Sequence, residues 1–294
     1  MFSGSRLFDA VAICTGRYDK PHIPPIKGLE TYTGRYEHSK DYSSPEIYEG
    51  QHVLIVGAHP SGTDLILDLC EHGVKADISH RRPEPKVGLT PGVFQYAEPV
   101  LFEGDVVYFK GDDEGHRFDV IIFATGYDTN LQYLDPDCLI ETDVIPRPLY
   151  KFAINPKYPT MAIFNQCVFV APFPFCEYQA LYFRQILLGD IKLDCYEERL
   201  EEAWNLVKRK PDLHLKYQYG LHLEQFEYNK DLADMCGILL ELENDMEALS
   251  RLYDSVRKDR AVNPSTYRNK EYEYERESGD YKMIEDWNLL ETRI

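Results

Sequence analysis

The sequence has few basic residues for its length. Its 294 residues include 32 lysines and arginines against 50 aspartates and glutamates, which gives a formal net charge of −18. So acidic a surface repels the phosphates of nucleic acids and of anionic membranes. The charge balance therefore argues against a nucleic-acid partner. A hydrophobic content of 44% predicts a globular protein with a substantial core, in one large or two ordinary domains.

Long apolar runs are also missing. No stretch reaches the length that a bilayer-spanning helix requires, and the first ten residues, MFSGSRLFDA, lack the basic and apolar segments of a signal peptide. We therefore predict a cytoplasmic protein whose sequence carries no membrane anchor. Peripheral association with a membrane stays open.

Paired cysteines are the third absence. The seven cysteines form no CxxC motif, and their mostly apolar surroundings predict reduced, unreactive thiols in the core of an intracellular protein. No metal site is predicted. The cysteines stand at positions 14, 70, 138, 167, 176, 195 and 236.

The motif around which the chain is organised runs from Gln51 to Arg82. Val53 to Val56 are apolar without alternation, as in a strand buried on both faces, and Gly57 ends that run. A helix is predicted next, with Ser61 as its N-cap and Gly73 at its end. Residues 75–79 would then return as a parallel strand.

A strand, glycine turn and helix in this order is typical of dinucleotide binding. Gly57 and Gly62 match the outer glycines of GxGxxG, whereas His59 stands where the middle glycine should be. Phosphates favour a helix amino terminus because of its free N–H groups and its dipole. We therefore predict that Gly57, His59, Pro60, Ser61 and Gly62 surround a pyrophosphate. An ordinary buried strand, turn and helix is the alternative.

The end of the second strand distinguishes the nicotinamide cofactors. An acidic residue there would bind the ribose 2′-hydroxyl, whereas arginine accommodates a 2′-phosphate. Arg81 and Arg82 therefore favour NADP, and Ser79 is predicted beside them. A solvated basic loop would also explain the two arginines.

An internal repeat links two distant parts of the chain. Residues 8–16 read FDAVAICTG and residues 118–126 read FDVIIFATG, so each copy is predicted to be a buried strand that ends in Thr-Gly. The two copies would close a dinucleotide-binding sheet or return the chain between two such domains. The first copy has too few residues before it for a strand, a phosphate turn and a helix, which predicts a truncated chain. Between the arginines and the second copy, only residues 106–110 indicate a further strand.

Residues 32–42, YTGRYEHSKDY, carry a family resemblance. Gly34, His38 and Tyr42 match the pattern Phe-x-Gly-x-x-x-His followed after three residues by Tyr or Phe, with Tyr32 in place of the phenylalanine. This pattern resembles the signature of the flavin-containing monooxygenases. Considered alone, His38 on an aromatic loop predicts a structural role rather than a catalytic one.

The order of the motifs extends the resemblance over most of the chain. In this family the signature precedes the NADPH-binding glycine turn, and an ATGY segment follows, which residues 124–127 match. Residues 172–184 are similar to a later segment with Glu-x-Gln-x-Arg, in which Glu177 and Gln179 match and Leu181 replaces the arginine. Residues 228–237 resemble the family's late segment.

The resemblance implies an α/β fold with two doubly wound dinucleotide-binding domains and a helical carboxyl-terminal extension. Residues 1–45 and 118–195 would form a partial FAD-binding domain. Residues 46–117 would form an inserted NADPH-binding domain. Residues 196–294 would form a helical, charged region.

The resemblance also implies the activity: NADPH- and FAD-dependent transfer of oxygen from O2 to soft nitrogen or sulfur nucleophiles of small molecules. Ala124, Thr125 and Gly126 would lie at the link between the domains, and Gln179 near the flavin. No catalytic residue is predicted, and substrate and oligomeric state are left open. A truncated, non-catalytic NADP-binding remnant is the alternative. A flavin disulfide reductase is disfavoured because it needs a cysteine pair.

Overall fold

The structure, a computed structural model, describes residues 6–82, 85, 88–138, 140–142, 144–275 and 278–286. Contacts divide the chain into two compact units. Unit 1 comprises Met1–Lys20, Asp128–Asp254 and Glu273–Lys282. Unit 2 comprises Pro21–Tyr127, Ser255–Tyr272 and Met283–Ile294.

Strands and helices alternate in the pattern of a mixed α/β protein, which confirms the predicted fold class. The strands are β1 (Val11–Ile13), β2 (Lys20–Pro21), β3 (Arg35–His38), β4 (His52–Val56), β5 (Lys75–Ser79), β6 (Gln95–Tyr96), β7 (Pro99–Glu103), β8 (Val106–Phe109), β9 (Gly115–Arg117), β10 (Val120–Phe123), β11 (Tyr127–Asp128), β12 (Met161–Ile163), β13 (Lys270–Glu275) and β14 (Asp280–Asp286). The α-helices are α1 (Pro60–Glu71), α2 (Pro172–Leu188), α3 (Tyr196–Lys208), α4 (Glu224–Met235) and α5 (Leu239–Val262).

Unit 2 is built on a five-stranded parallel sheet. Its strand order is β3-β10-β4-β5-β6, so the second copy of the repeat lies beside the organising strand β4. The outer strand β3 and the inner strand β10 both lie outside the predicted range 46–117. The assignment of this unit to NADPH stays a prediction.

Alternation along β4 explains why the sheet is buried on both faces. Val53 and Ile55 point to the face on which α1 packs, whereas Leu54 and Val56 point to the opposite face. That opposite face is covered by an antiparallel meander of β7, β8 and β9, which contributes Phe102, Val107 and Phe109 among others.

The meander corrects the expectation of one strand between Arg82 and Phe118. β6 and β9 have only two and three residues, and β7 begins with a proline, so periodicity alone did not indicate them. Pairing is what stabilises them: β7 and β9 both pair antiparallel with β8.

Unit 1 contains a parallel pair of strands, β1 and β12, and helices α2, α3 and α4. Phe175 of α2 and Tyr228 of α4 are in ring contact at 5.1 Å, and Val207 of α3 joins the same cluster. The prediction that β1 is buried is wrong, because Val11 is 46% exposed and Phe8 is 72% exposed. Among the described strands, β1 has a neighbour on one side only.

The carboxyl-terminal region is helical as far as Val262, where α5 ends. It then forms the strands β13 and β14, which differs from the predicted helical region 196–294. In β13 the sequence KEYEYE alternates, and its burial alternates in step, with tyrosines half-buried and glutamates exposed. A period of two residues indicates a strand.

The close packing of α1 against the turn before it gives a stability prediction. A Cβ atom on Gly62 would lie 1.8 Å from the Gly57 carbonyl oxygen, so Gly62→Ala requires the helix or the turn to move. We expect Gly62→Ala to lower the free energy of unfolding by about 1 to 3 kcal/mol, measured by urea denaturation. Ser61→Ala, at the neighbouring exposed position, is the control and should change it by less than about 0.5 kcal/mol. Equal effects of the two substitutions would contradict this packing.

Candidate functional site

The turn after β4 depends on a glycine. Gly57 has φ +114°, and a Cβ atom there would lie 2.5 Å from the carbonyl oxygen of Ala124. Its N–H donates to the Ser79 carbonyl at 2.8 Å, which ties the turn to the end of β5. No other residue type fits this backbone conformation and this space together.

The helix begins immediately after this turn. His59 is the residue that precedes the first helical turn, and Pro60 occupies its first position. Because the His59 backbone is extended, with φ −76°, it adopts this conformation without needing a glycine. Ser61 is therefore not the N-cap, which corrects the prediction. The turn and the start of α1 bring together all five residues predicted for the pyrophosphate, in unit 2.

Residues 124–126, Ala-Thr-Gly, follow β10 and contact the glycine turn after β4. Ala124 follows β10 and donates its N–H to the Val56 carbonyl at 2.8 Å. The Thr125 hydroxyl donates to the His22 carbonyl, and the Gly126 carbonyl accepts the His22 N–H at 2.9 Å. These three residues lie at the end of β10 within unit 2, beside the glycine turn.

His38 is fixed in one tautomer by two hydrogen bonds. Its Nδ1 accepts the N–H of Lys40 at 3.1 Å, so Nε2 carries the proton and donates to the Gly126 carbonyl at 2.9 Å. The side chain is 2% exposed, and its burial lowers the pKa of the imidazole. His38 thus joins the end of β3 to the segment after β10, as the predicted structural role requires.

A cleft of about 320 Å³ opens where β5 ends. Arg81 and Arg82 line it, and both are exposed. Ser79 lies beneath them without lining the cleft, because its side chain is fully buried and its hydroxyl donates to the Ala97 carbonyl at 2.7 Å. Ser79 therefore holds the end of β5 to the segment before β7.

Sequence reasoning missed the residues that complete the cleft. They come from strands distant in the chain, and they include His80, Gln95, Tyr96, Glu98 and Lys110. Of these residues, only His80 could have been predicted from the sequence, because it directly precedes the two arginines in the run SHRR. The others reach the cleft through the pairing of β5 with β6 and of β7 with β8, which single-sequence patterns do not show.

Gln179 belongs to unit 1, where it lies on α2. Its side chain is 1% exposed, its Oε1 accepts the N–H of Asn165 at 3.2 Å, and its Nε2 donates to the Tyr228 hydroxyl at 3.1 Å. Both polar ends are thus bonded inside the unit. A contact with flavin stays a prediction for this residue.

All seven cysteines are free thiols. Cys167 is buried, and burial raises the pKa of its thiol, as expected for an unreactive core cysteine. Cys14 and Cys195 are exposed, which corrects the expectation of core positions for them. Within the described ranges, no helix combines the length and the apolar character needed to cross a membrane.

Comparisons with known proteins agree with this arrangement. The family model described as flavin-binding monooxygenase-like matches residues 3–88. Flavin-containing monooxygenase FMO GS-OX-like 4 of Arabidopsis thaliana is 27% identical over 273 residues, which are 90% of this chain and 59% of that protein. Senecionine N-oxygenase of Tyria jacobaeae is 31% identical over 206 residues, which are 65% of this chain and 43% of that protein.

A solved structure extends the likeness to three dimensions. S-allyl-L-cysteine S-oxygenase from Allium sativum superposes with a TM-score of 0.78 at 26% identity, over 92% of this chain and 62% of that one. In sequence and in fold the chain is similar to flavin-containing monooxygenases. The chain spans 59% or less of the two curated relatives named above.

The buried His38 predicts a pH dependence of stability. Its folded-state pKa lies below the ordinary 6.5, so the unfolded chain binds a proton more readily. The stability that neutral His38 contributes is present above pH 6.5 and is lost as the pH falls below it. We expect His38→Gln to flatten the decrease in unfolding free energy between pH 7 and 5.5.

His72 is the control with the opposite sign. Its Nδ1 is bonded to the Asp68 carbonyl at the end of α1, which raises the pKa of this exposed imidazole. Its contribution is therefore present below its unfolded pKa and is lost as the pH rises. His72→Gln should steepen the decrease toward low pH, and identical profiles for both variants would contradict these assignments.

Proposed function

We propose that unit 2 binds NADP(H). The observation that carries this proposal is a glycine turn at the amino terminus of α1 whose neighbouring strand β5 ends in Arg81 and Arg82. An α-helix leaves its first N–H groups without partners inside the helix, and its dipole favours anions there. The turn is thus suited to a pyrophosphate and the cleft at the end of β5 to a 2′-phosphate.

The residues of the cleft fit such a ligand. The two arginines are exposed, so their guanidinium groups are available to a phosphate from solvent. His80 is 9% exposed, and its Nδ1 is buried without a hydrogen-bond partner among the described residues. The His80 Nε2 is bonded to the Gln95 amide oxygen at 3.0 Å, so Nδ1 is the acceptor nitrogen. A buried polar atom without a partner costs about 1 to 3 kcal/mol, and a ribose hydroxyl that donates to Nδ1 would offset that cost.

Each group of residues has its own task in this proposal. Ser61 and Gly62 donate backbone N–H groups to the pyrophosphate, Gly57 allows its close approach, and His59 and Pro60 begin the helix beside it. Arg81 and Arg82 hold the 2′-phosphate. Ala124, Thr125 and Gly126 keep the turn in shape from β10, and Ser79 secures the end of β5. A bound NADPH supplies reducing equivalents, and the described residues of unit 2 bind and orient it.

We further propose that the whole protein oxygenates soft nitrogen or sulfur nucleophiles of small molecules with O2. Support comes from the names of the relatives, which include a senecionine N-oxygenase and an S-allyl-L-cysteine S-oxygenase. The matching family model is flavin-binding, and the FMO GS-OX-like 4 relative is flavin-containing by its name, so FAD is the implied second cofactor. Among the described residues, a strand, glycine turn and helix of this kind occurs only between β4 and α1, so no phosphate turn is assigned to FAD.

A non-catalytic NADP-binding chain of the same family is the second candidate. Its support is that the described residues contain one phosphate turn, which is suited to NADP(H). In both cases NADP(H) binding is retained. A cytoplasmic location also stays a prediction.

The double substitution Arg81→Gln with Arg82→Gln tests the coenzyme assignment. We expect NADPH affinity to fall by about 1 to 3 kcal/mol, because charge-assisted bonds to the 2′-phosphate are lost, while NADH affinity stays unchanged. Affinities are measured by calorimetric titration. Arg117→Gln is the control, since Arg117 is an exposed arginine of β9 that pairs with Asp105 outside the cleft. Equal losses for both coenzymes would contradict the 2′-phosphate assignment.

Flavin retention tests the oxygenase proposal separately. The purified chain is incubated with FAD, excess flavin is removed and the visible absorbance spectrum is recorded. For a monooxygenase we expect a flavin band that stays with the protein, bleaches with NADPH and returns in air. Measurable NADPH binding without any retained flavin would favour the non-catalytic candidate.

A further inference from the structure

One carboxylate lies between two cations in the cleft. Glu98 places its Oε2 3.1 Å from Nε of Arg81 and its Oε1 3.1 Å from Nζ of Lys110. Within the described residues, Glu98 is the acidic residue among those that line the cleft. The phosphate site proposed above therefore contains its own negative charge.

Strand pairing brings these three residues together. Glu98 precedes β7 and Lys110 follows β8, and the Lys110 N–H donates to the Glu98 carbonyl at 3.0 Å across the antiparallel pair. Arg81 follows β5, where the His80 N–H donates to the Tyr96 carbonyl at 3.0 Å. Backbone hydrogen bonds thus hold all three positions at the cleft.

The two cations are able to exchange this carboxylate for a ligand. The side chains of Arg81 and Lys110 are 81% and 70% exposed, and ion pairs at such exposure contribute only about 0 to 1 kcal/mol. The Glu98 side chain is 34% exposed, so the carboxylate stays at the cleft while the cations turn to an incoming anion.

We propose that Glu98 and Lys110 determine which nicotinamide coenzyme the site prefers. This inference rests on NADP(H) binding by unit 2 and assigns opposite tasks to the two residues. Lys110 is a third cation for the 2′-phosphate. Glu98 repels that phosphate and accepts a hydrogen bond from the 2′-hydroxyl of NADH, so the site accepts both coenzymes.

Charge accounts for the direction of each effect. A phosphate and a carboxylate about 4 Å apart repel each other by about 1 kcal/mol even in water. A ribose hydroxyl carries no charge, and an ionised carboxylate is a strong acceptor for its proton. The same side chain thus weakens one coenzyme and strengthens the other, which a purely structural residue would not do.

Coenzyme titrations of Glu98→Gln and Lys110→Gln test the inference. For Glu98→Gln we expect NADPH to bind about 5-fold more tightly, because the repulsion is removed, and NADH to bind more weakly. For Lys110→Gln we expect NADPH to bind about 5-fold more weakly and NADH to be unchanged. Circular dichroism of both variants checks that the fold is retained.

Two matched controls lie in the same unit. Asp105→Asn removes an exposed carboxylate that pairs with Arg117 in the meander, and Lys75→Gln removes an exposed lysine at the start of β5. Neither should change the ratio of the two affinities. Changes of the same sign for both coenzymes in Glu98→Gln, or no change in either cleft variant, would overturn the inference.

The two proposals fail in different ways. If the unsubstituted chain binds neither NADPH nor NADH, the proposed function and this inference are both overturned. If it binds NADPH and the arginine variant weakens that binding, but Glu98→Gln and Lys110→Gln do not alter the preference, only the inference fails.

Discussion

The close approach of the glycine turn to the end of β10 is the constraint on which the site depends. A side chain on Gly57 would meet the Ala124 carbonyl, and one on Gly62 would meet the Gly57 carbonyl. These contacts set the amino terminus of α1 at the carboxyl edge of the parallel sheet. Ligands of open α/β sheets bind at that edge.

The elements that could be predicted from sequence are those with strong local signals. The run Val53 to Val56, Gly57 and the following helix were predicted because a continuous apolar strand and a glycine turn are local patterns. Residues 106–110 predicted β8, whereas its partners β7 and β9 and the positions of Glu98 and Lys110 in the cleft were not predicted, because they depend on strand pairing. The buried position predicted for β1 was wrong because its Thr-Gly pattern does not show how many neighbours a strand has.

An acidic protein carries here a small basic cleft. The formal charge of the chain is −18, yet Arg81, Arg82 and Lys110 lie together at the end of β5 with Glu98 between them. An anionic ligand is repelled by most of the surface and attracted at this cleft, where local charges at short range outweigh distant ones that salt screens. The cleft is therefore suited to an anionic ligand, although the net charge of the protein is negative.

NADPH binding at the turn and cleft of unit 2 is tested most directly by hydrogen–deuterium exchange of the full chain with and without NADPH. Peptides that contain residues 57–63 and 79–82 are predicted to exchange more slowly when NADPH is bound, since the ligand would occupy their N–H groups or restrict their opening. Saturated binding without protection in those peptides, or protection confined to unit 1, would contradict the account.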